Sequence, residues 1–177
     1  KFEVTGKDAV TTLQNLSCAN IDVDHGQVVY TQWLNERGGI EADLTIARLA
    51  ANRFWVITGI ASLNRDWWRL KKNLLGQTEI TDVTTQHACL SVQGPDARRL
   101  LQHITDSDLS ADGFAFGSGR FAQVANSTVW MQRLSYVGEL GWELFVPQRE
   151  ALMVFNALHQ AGRKYGLANV GLHALNS

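Results

Sequence analysis

The sequence predicts a mixed α+β fold with antiparallel sheets and helices packed against them. Two observations lead to this prediction. Runs that read as strands follow one another along the chain with short turns between them, and only a few segments carry the three-and-four spacing of an amphipathic helix. Neighbouring strands joined by short turns pair in antiparallel fashion, so we expect hairpins and meanders rather than parallel crossover units.

The first half of the chain alternates between strand and helix patterns. A stretch rich in aromatic and β-branched residues favours a strand, whereas apolar residues spaced four, three and four apart favour a helix. Gly38 and Gly39 lie between two strand runs and tolerate the positive φ of a tight turn. The predicted elements are a strand at the start, a helix with Ala9, Leu13 and Leu16, strands over 27–34, 43–49 and 53–59, and a helix with Leu63, Trp67, Leu70 and Leu74.

The second half of the chain also alternates between strand and helix patterns. Pro95 suits the first turn of a helix, because proline needs no backbone N–H partner there. A polar, glycine-containing stretch over 106–119 reads as a long connection. The predicted elements are a strand over 87–93, a helix with Ala97, Leu100, Leu101 and Ile104, strands over 120–124, 128–136 and 141–146, and a helix with Val154, Phe155 and Leu158 that ends near Gly166.

Composition narrows the class of protein. Hydrophobic residues make up 45% of the 177 residues and charged residues 19%, which is enough for a core and is untypical of disorder. The net charge is -1 without a basic block, so neither nucleic acid nor an anionic membrane is an expected partner. No apolar run approaches the ~18 residues of a membrane span. We expect a soluble protein of the cytoplasm or the mitochondrial matrix.

The most informative segment covers residues 136–147 and reads YVGELGWELFVP. With a period of two, Trp142, Leu144 and Val146 face one way, and Glu143 faces the other. An acid within an apolar strand costs free energy to bury unless a partner pairs with it. From the residues alone, Glu143 is either a solvent-facing acid or a binding group.

This segment and three others resemble the folate-binding aminomethyltransferase domain, related to the glycine-cleavage T-protein. The version in dimethylglycine and sarcosine dehydrogenases is the most similar one. The other three blocks are YTQWLNERGGIEADLTIARL at 30–49, LSVQGPDARRLL at 90–101 and KFEVTGKDA at 1–9. The four blocks run in family order and span nearly the whole chain.

The resemblance implies an architecture. Two lobes would surround a central cavity, with residues 1–86 and 148–177 in the first lobe and 87–147 in the second. The chain is expected to be a fragment of a larger polypeptide with an amine-oxidising FAD domain. It carries no Gly-x-Gly-x-x-Gly fingerprint, so a flavin, if there is one, would bind to a domain outside this chain.

The resemblance also assigns roles to four residues. Asp43 falls on the family's key acid, which steers the tetrahydrofolate nitrogen that attacks a methylene-iminium carbon. Glu143 and Tyr136 fall on positions that contact the pterin, and Tyr30 aligns with another aromatic of the folate pocket. Without the resemblance, Asp43 reads as a turn acid and the tyrosines as half-buried packing.

One departure concerns the end of the chain. T-proteins carry a Gly-Leu-Gly-Ala-Arg-Asp segment whose arginine helps to hold folate, whereas residues 171–176 read GLHALN. His173 is expected to be structural. The histidines show no ligand spacing, so no metal site is predicted.

The predicted function is a one-carbon transfer module that makes 5,10-methylenetetrahydrofolate from formaldehyde-level carbon. The natural enzyme would be an aminomethyltransferase-like part of a dimethylglycine or sarcosine dehydrogenase type of oxidoreductase. Two alternatives stay open. One is a non-catalytic relative used for regulation or partner docking, like the regulatory subunit of pyruvate dehydrogenase phosphatase. The other is a folate-dependent demethylase.

Overall fold

The computed structural model describes residues 1–175, which divide into two compact units. The first unit is Lys1–Thr85 and the second begins at Gln86. Each unit contains one sheet in which all neighbouring strands are antiparallel. The predicted α+β class with antiparallel sheets is therefore confirmed. In the part of the chain that the structure describes, no helix is long and apolar enough to cross a membrane.

The first unit is a five-stranded sheet with two helices. Its strands follow the order β2-β3-β4-β1-β5. The elements are β1 (Phe2–Thr5), α1 (Ala9–Leu16), β2 (Val28–Leu34), β3 (Ile40–Ala50), β4 (Arg53–Ile57), α2 (Leu63–Lys72) and β5 (Glu79–Asp82). The turn from β2 to β3 contains Gly38 at φ +78, as the glycine pair predicts.

The core of the first unit lies on one face of this sheet. Trp33 from β2 and Leu44 from β3 pack there with Leu13 of α1 and Leu70 of α2. Because side chains alternate along a strand, the residues between them point to the other face. On that other face, β2 and β3 carry polar side chains.

The second unit is a four-stranded sheet in the order β6-β9-β8-β7. Trp142, Leu144 and Val146 enter its core, as the alternation predicts, and pack with Val154 and Leu158. The elements are β6 (His87–Gln93), α3 (Ala97–Leu101), β7 (Gly119–Val124), β8 (Ser127–Gln132), β9 (Gly141–Pro147), α4 (Ala151–Gly162) and α5 (Leu172–Leu175).

The main differences from the sequence predictions concern β5, the end of β8 and the helix after β9. Strand β5 is not predicted, because Ile80 is the only apolar residue of its four. Strand β8 ends at Gln132 instead of residue 136, since the chain then leaves the sheet through a loop in which Gly138 adopts φ +80. Residues 148–177 were expected in the first lobe. Instead, α4 groups with the second unit, because its Val154 and Leu158 fill that unit's core.

Candidate functional site

Glu143 lies in the middle of the second sheet, on the face opposite the core. Strand β9 runs between β6 and β8, so Glu143 has Ser91 directly across on one side and Gln132 on the other. Its neighbour Trp142 is fully buried in the core behind the sheet. The strand alternation therefore places one acid on an otherwise apolar strand where it faces outward.

A chain of two hydrogen bonds holds the Glu143 carboxylate. The Trp130 Nε1–H donates to Oε1 of Gln132 at 3.0 Å, and Gln132 Nε2 donates to Oε2 of Glu143 at 2.8 Å. Gln132 is completely buried. Within residues 1–175, Oε1 of Glu143 accepts no hydrogen bond. One carboxylate oxygen is thus fixed, and the other remains available to a ligand.

The environment of Glu143 opposes its negative charge. Burial raises the pKa of the carboxyl group above its usual range, because a charge loses hydration energy when water is removed. The hydrogen bond from Gln132 lowers the pKa in part, since it favours the charged form. A half-buried acid with a raised pKa beside a cavity is typical of functional sites.

Glu143 lines a cavity of about 760 Å³ within the second unit. This volume lies in the range of about 300–1,000 Å³ that small-molecule sites occupy. Tyr136 and Ser91 line it as well, and its apolar wall includes Phe155, Leu158 and Val170. The arrangement combines flat apolar surface with a forked acceptor, which suits a planar heterocycle that carries adjacent N–H groups.

Tyr136 belongs to the loop between β8 and β9, and 76% of it is exposed. The base of this loop is tied down, because Arg133 donates from Nη1 to the carbonyl oxygen of Phe114 at 2.7 Å. Tyr136 therefore stands at the cavity rim on an anchored loop. From there its ring can stack on a planar ligand in the cavity.

The first unit holds the other two predicted site residues. Tyr30 on β2 is opposite Thr45 on β3, and Gln32 is opposite Asp43. Tyr30 and Asp43 are therefore diagonal neighbours on one face, at a separation of about 7–8 Å for such pairs. Tyr30 is 58% exposed, and Asp43 is exposed as well. The strand register places these two side chains together on the face opposite the core.

Asp43 differs from the acid two positions before it. Glu41 forms an ion pair with Arg69 of α2, whose guanidinium also donates to the carbonyl oxygen of Leu34. Asp43 makes no ion pair and no side-chain hydrogen bond in the described part of the chain. It lies inside β3 rather than at the head of a strand, because β3 already begins at Ile40. Only Asp43 of the two acids presents an unshared carboxylate.

The structure thus joins the four predicted residues in two pairs, Tyr30 with Asp43 and Tyr136 with Glu143. The roles of these four residues in folate binding remain predictions. Sequence reasoning missed Gln132 and Trp130, because a buried polar residue at the end of a strand gives no signal until its cross-strand partner is known. His173 is exposed on α5.

Comparisons with known proteins identify the family of this chain. A family model described as the GCVT N-terminal domain matches residues 1–177. The 4-methylaminobutanoate oxidase (formaldehyde-forming) of Paenarthrobacter nicotinovorans is 39% identical over 178 residues, which is 100% of this chain and 22% of that protein. Human mitochondrial sarcosine dehydrogenase is 35% identical over 193 residues, again covering 100% of this chain and 21% of the relative.

Among solved structures, the glycine cleavage system aminomethyltransferase T of Bartonella henselae superimposes with a TM-score of 0.82 at 28% identity. The match covers 98% of this chain and 46% of that one. The chain spans about a fifth of the length of the two curated relatives above.

Proposed function

Since this chain belongs to the GCVT N-terminal domain family, we propose that it binds tetrahydrofolate and takes part in one-carbon transfer. Carbon at the oxidation level of formaldehyde, taken from an oxidised amine, would be passed to tetrahydrofolate to give 5,10-methylenetetrahydrofolate. The carbon donor would be an amine-oxidising, FAD-containing part of the same natural polypeptide. The oxidase and dehydrogenase names of the relatives, and the small share of each that this chain covers, support that context.

The arrangement of Glu143 is the observation that carries this proposal. The 2-amino group and ring N–H of a pterin form a pair of adjacent donors, and a carboxylate accepts such a pair as a fork. Gln132 occupies one lone pair of Oε2, which leaves Oε1 and the rest of Oε2 without a partner in the described chain, and Glu143 lines the cavity. Phe155 and Tyr136 supply apolar and aromatic surface for the ring. The residues present therefore fit a pterin.

Asp43 supplies the proton chemistry of the proposal. When a folate nitrogen attacks the one-carbon unit, a C–N bond forms and the nitrogen must lose a proton. A carboxylate near that nitrogen can accept the proton and stabilise the cation that precedes it. Asp43 suits this role because its carboxylate is exposed and unshared, whereas Glu41 is held by Arg69. Tyr30, on the same face, would flank the bound folate.

The test separates folate binding from carbon transfer in the natural protein that carries this chain. Asp43→Asn keeps the side-chain shape but removes the base, so tetrahydrofolate should bind nearly as before. Formation of 5,10-methylenetetrahydrofolate should slow by roughly 10²–10⁴-fold, the usual contribution of a positioned acid–base group. Amine oxidation should continue and release free formaldehyde instead.

Glu41→Gln is the matched control, because it neutralises an acid two positions away that already has a partner. It should leave carbon transfer close to the wild-type rate. If Asp43→Asn left carbon transfer untouched, the catalytic assignment would be wrong, and a regulatory or docking role for the same fold would be the better conclusion.

A further inference from the structure

The amide of Gln132 has only one orientation that satisfies its neighbours. The indole N–H of Trp130 can donate but cannot accept, so the group it meets at 3.0 Å must be the Gln132 oxygen. The NH₂ group of Gln132 must then face Glu143, where it donates to Oε2. The two hydrogen bonds therefore fix the orientation of the Gln132 amide.

Trp130 is itself held firmly. Its ring lies in an edge contact with Phe121 at a centroid distance of 5.2 Å, and it is nearly fully buried. Gly119 on the neighbouring strand leaves room for the ring, because a Cβ atom there would lie 2.5 Å from Cζ2 of Trp130. The donor that orients Gln132 is thus fixed by packing on more than one side.

This orientation restricts the Glu143 carboxylate. An NH₂ group cannot accept a hydrogen bond, so Oε2 of Glu143 must stay an acceptor and cannot carry a proton toward Gln132. Any proton that Glu143 gains must sit on Oε1 or on the lone pair of Oε2 that Gln132 does not use, since neither has a partner in the described chain. Protonation would therefore turn the ligand-facing acceptor into a donor.

We infer that Gln132, oriented by Trp130, is a positioning residue that keeps Glu143 an acceptor and so selects ligands with adjacent N–H donors. This inference rests on the proposed function for the identity of the ligand. Gln132 itself is completely buried and acts through Glu143. A ligand that offers a carbonyl in place of one N–H group would face an acceptor and be rejected.

Other groups near Glu143 do not supply this donor. Strand β8 contributes no ionisable side chain, and Arg133 is engaged with the carbonyl of Phe114. The titratable and charged residues on the surrounding elements are His87 and Cys89 on β6, Arg133, Tyr136 and Glu139 in the loop after β8, and His159 on α4. Because these other ionisable groups lie near Glu143, the measurement has to report on Glu143 itself.

The experiment is a carbon-13 NMR titration of side-chain-labelled glutamate in the full chain, with the Glu143 signal identified by its loss in Glu143→Gln. Gln132→Met keeps the length of the side chain but removes the donor. The titration midpoint of Glu143 should move to higher pH in Gln132→Met, because the charged form loses its hydrogen bond. Trp130→Phe, which frees the amide to turn, should move it in the same direction.

Gln102→Met is the matched control. Its amide donates to the carbonyl oxygens of Thr105 and Ser107 in the same unit, so the substitution also removes amide hydrogen bonds but leaves Glu143 alone. The Glu143 midpoint should not move in this variant. An unchanged midpoint in both Gln132→Met and Trp130→Phe would overturn the inference, whether or not the chain binds folate.

Ligand binding gives the second measurement. Tetrahydrofolate affinity should fall roughly 10-fold in Gln132→Met, because the carboxylate that accepts the pterin N–H groups is no longer held in place and its charged form loses a hydrogen bond. The preference of the wild type for tetrahydrofolate over its 2-deamino-2-oxo analogue should shrink in the same variant. If wild type and Gln132→Met showed the same preference for tetrahydrofolate over the analogue, Gln132 would not select ligands with adjacent N–H donors. Failure of the natural wild-type protein to bind tetrahydrofolate would instead count against the proposed function.

Discussion

Replacing Glu143 by glutamine should change stability and folate binding in opposite directions. In the wild type, Gln132 donates to Oε2 and leaves Oε1 open to the ligand. In Glu143→Gln, the only oxygen of the new side chain must meet the Gln132 donor, so its NH₂ group points into the cavity. That group would face the N–H donors of the pterin, and a hydrogen bond to a charged acceptor would be lost.

The binding cost follows from that geometry. A hydrogen bond to a charged group contributes roughly 1.5–3 kcal/mol, so tetrahydrofolate affinity should fall about 10–150-fold in Glu143→Gln. Isothermal titration calorimetry on the natural protein measures it. Glu139→Gln is the control, because Glu139 is an exposed acid at the same cavity that does not bond to Gln132. Equal losses of tetrahydrofolate affinity in both variants would refute a direct hydrogen bond from the pterin to Glu143. They would instead indicate a general effect of negative charge near the cavity.

Stability should move the other way. Burial raises the pKa of Glu143, so the folded state binds its proton more tightly than the unfolded state does. The stabilisation from this difference is fully present below about pH 4.5, the ordinary value, and is lost as pH rises through the raised pKa. At pH 7, Glu143→Gln should therefore raise the melting temperature and flatten its pH dependence. A lower melting temperature at pH 7 would contradict this reasoning.

Two further predictions concern glycines. Gly6→Ala should cost roughly 1–3 kcal/mol more than Gly38→Ala in urea unfolding, because both have positive φ but only at Gly6 would a Cβ meet a backbone atom, the Gln77 oxygen at 1.8 Å. Equal costs would show that backbone strain alone decides. Gly119→Ala should destabilise the second unit by roughly 1–3 kcal/mol, since its Cβ would displace the Trp130 ring. Unchanged near-ultraviolet circular dichroism of the tryptophans would argue against that displacement.

Much of the fold follows from local patterns. The period of two over residues 141–146 predicts both the core face of β9 and the outward direction of Glu143. The sequence also predicts β2 and β3 as two separate strands, because a glycine pair lies between them. Strand positions and the directions of their side chains depend on residues that are close in sequence. Composition and spacing are therefore enough to predict them.

Other features depend on contacts between distant segments. The Gln132 partner of Glu143 is set by the register of β8 and β9, which the shape of the loop between them determines. Helix α4 exposes Leu152 and Met153 as well as burying Val154 and Leu158, so its pattern does not say which sheet it covers. These relations arise only when the chain is folded.

The central claim is that the Glu143 carboxylate accepts the adjacent N–H donors of a pterin. A crystal structure of the natural protein with bound tetrahydrofolate tests it most directly. The pterin 2-amino group and ring N–H should lie within hydrogen-bond distance of the Glu143 carboxylate. A folate whose pterin is bound away from Glu143 would contradict the claim.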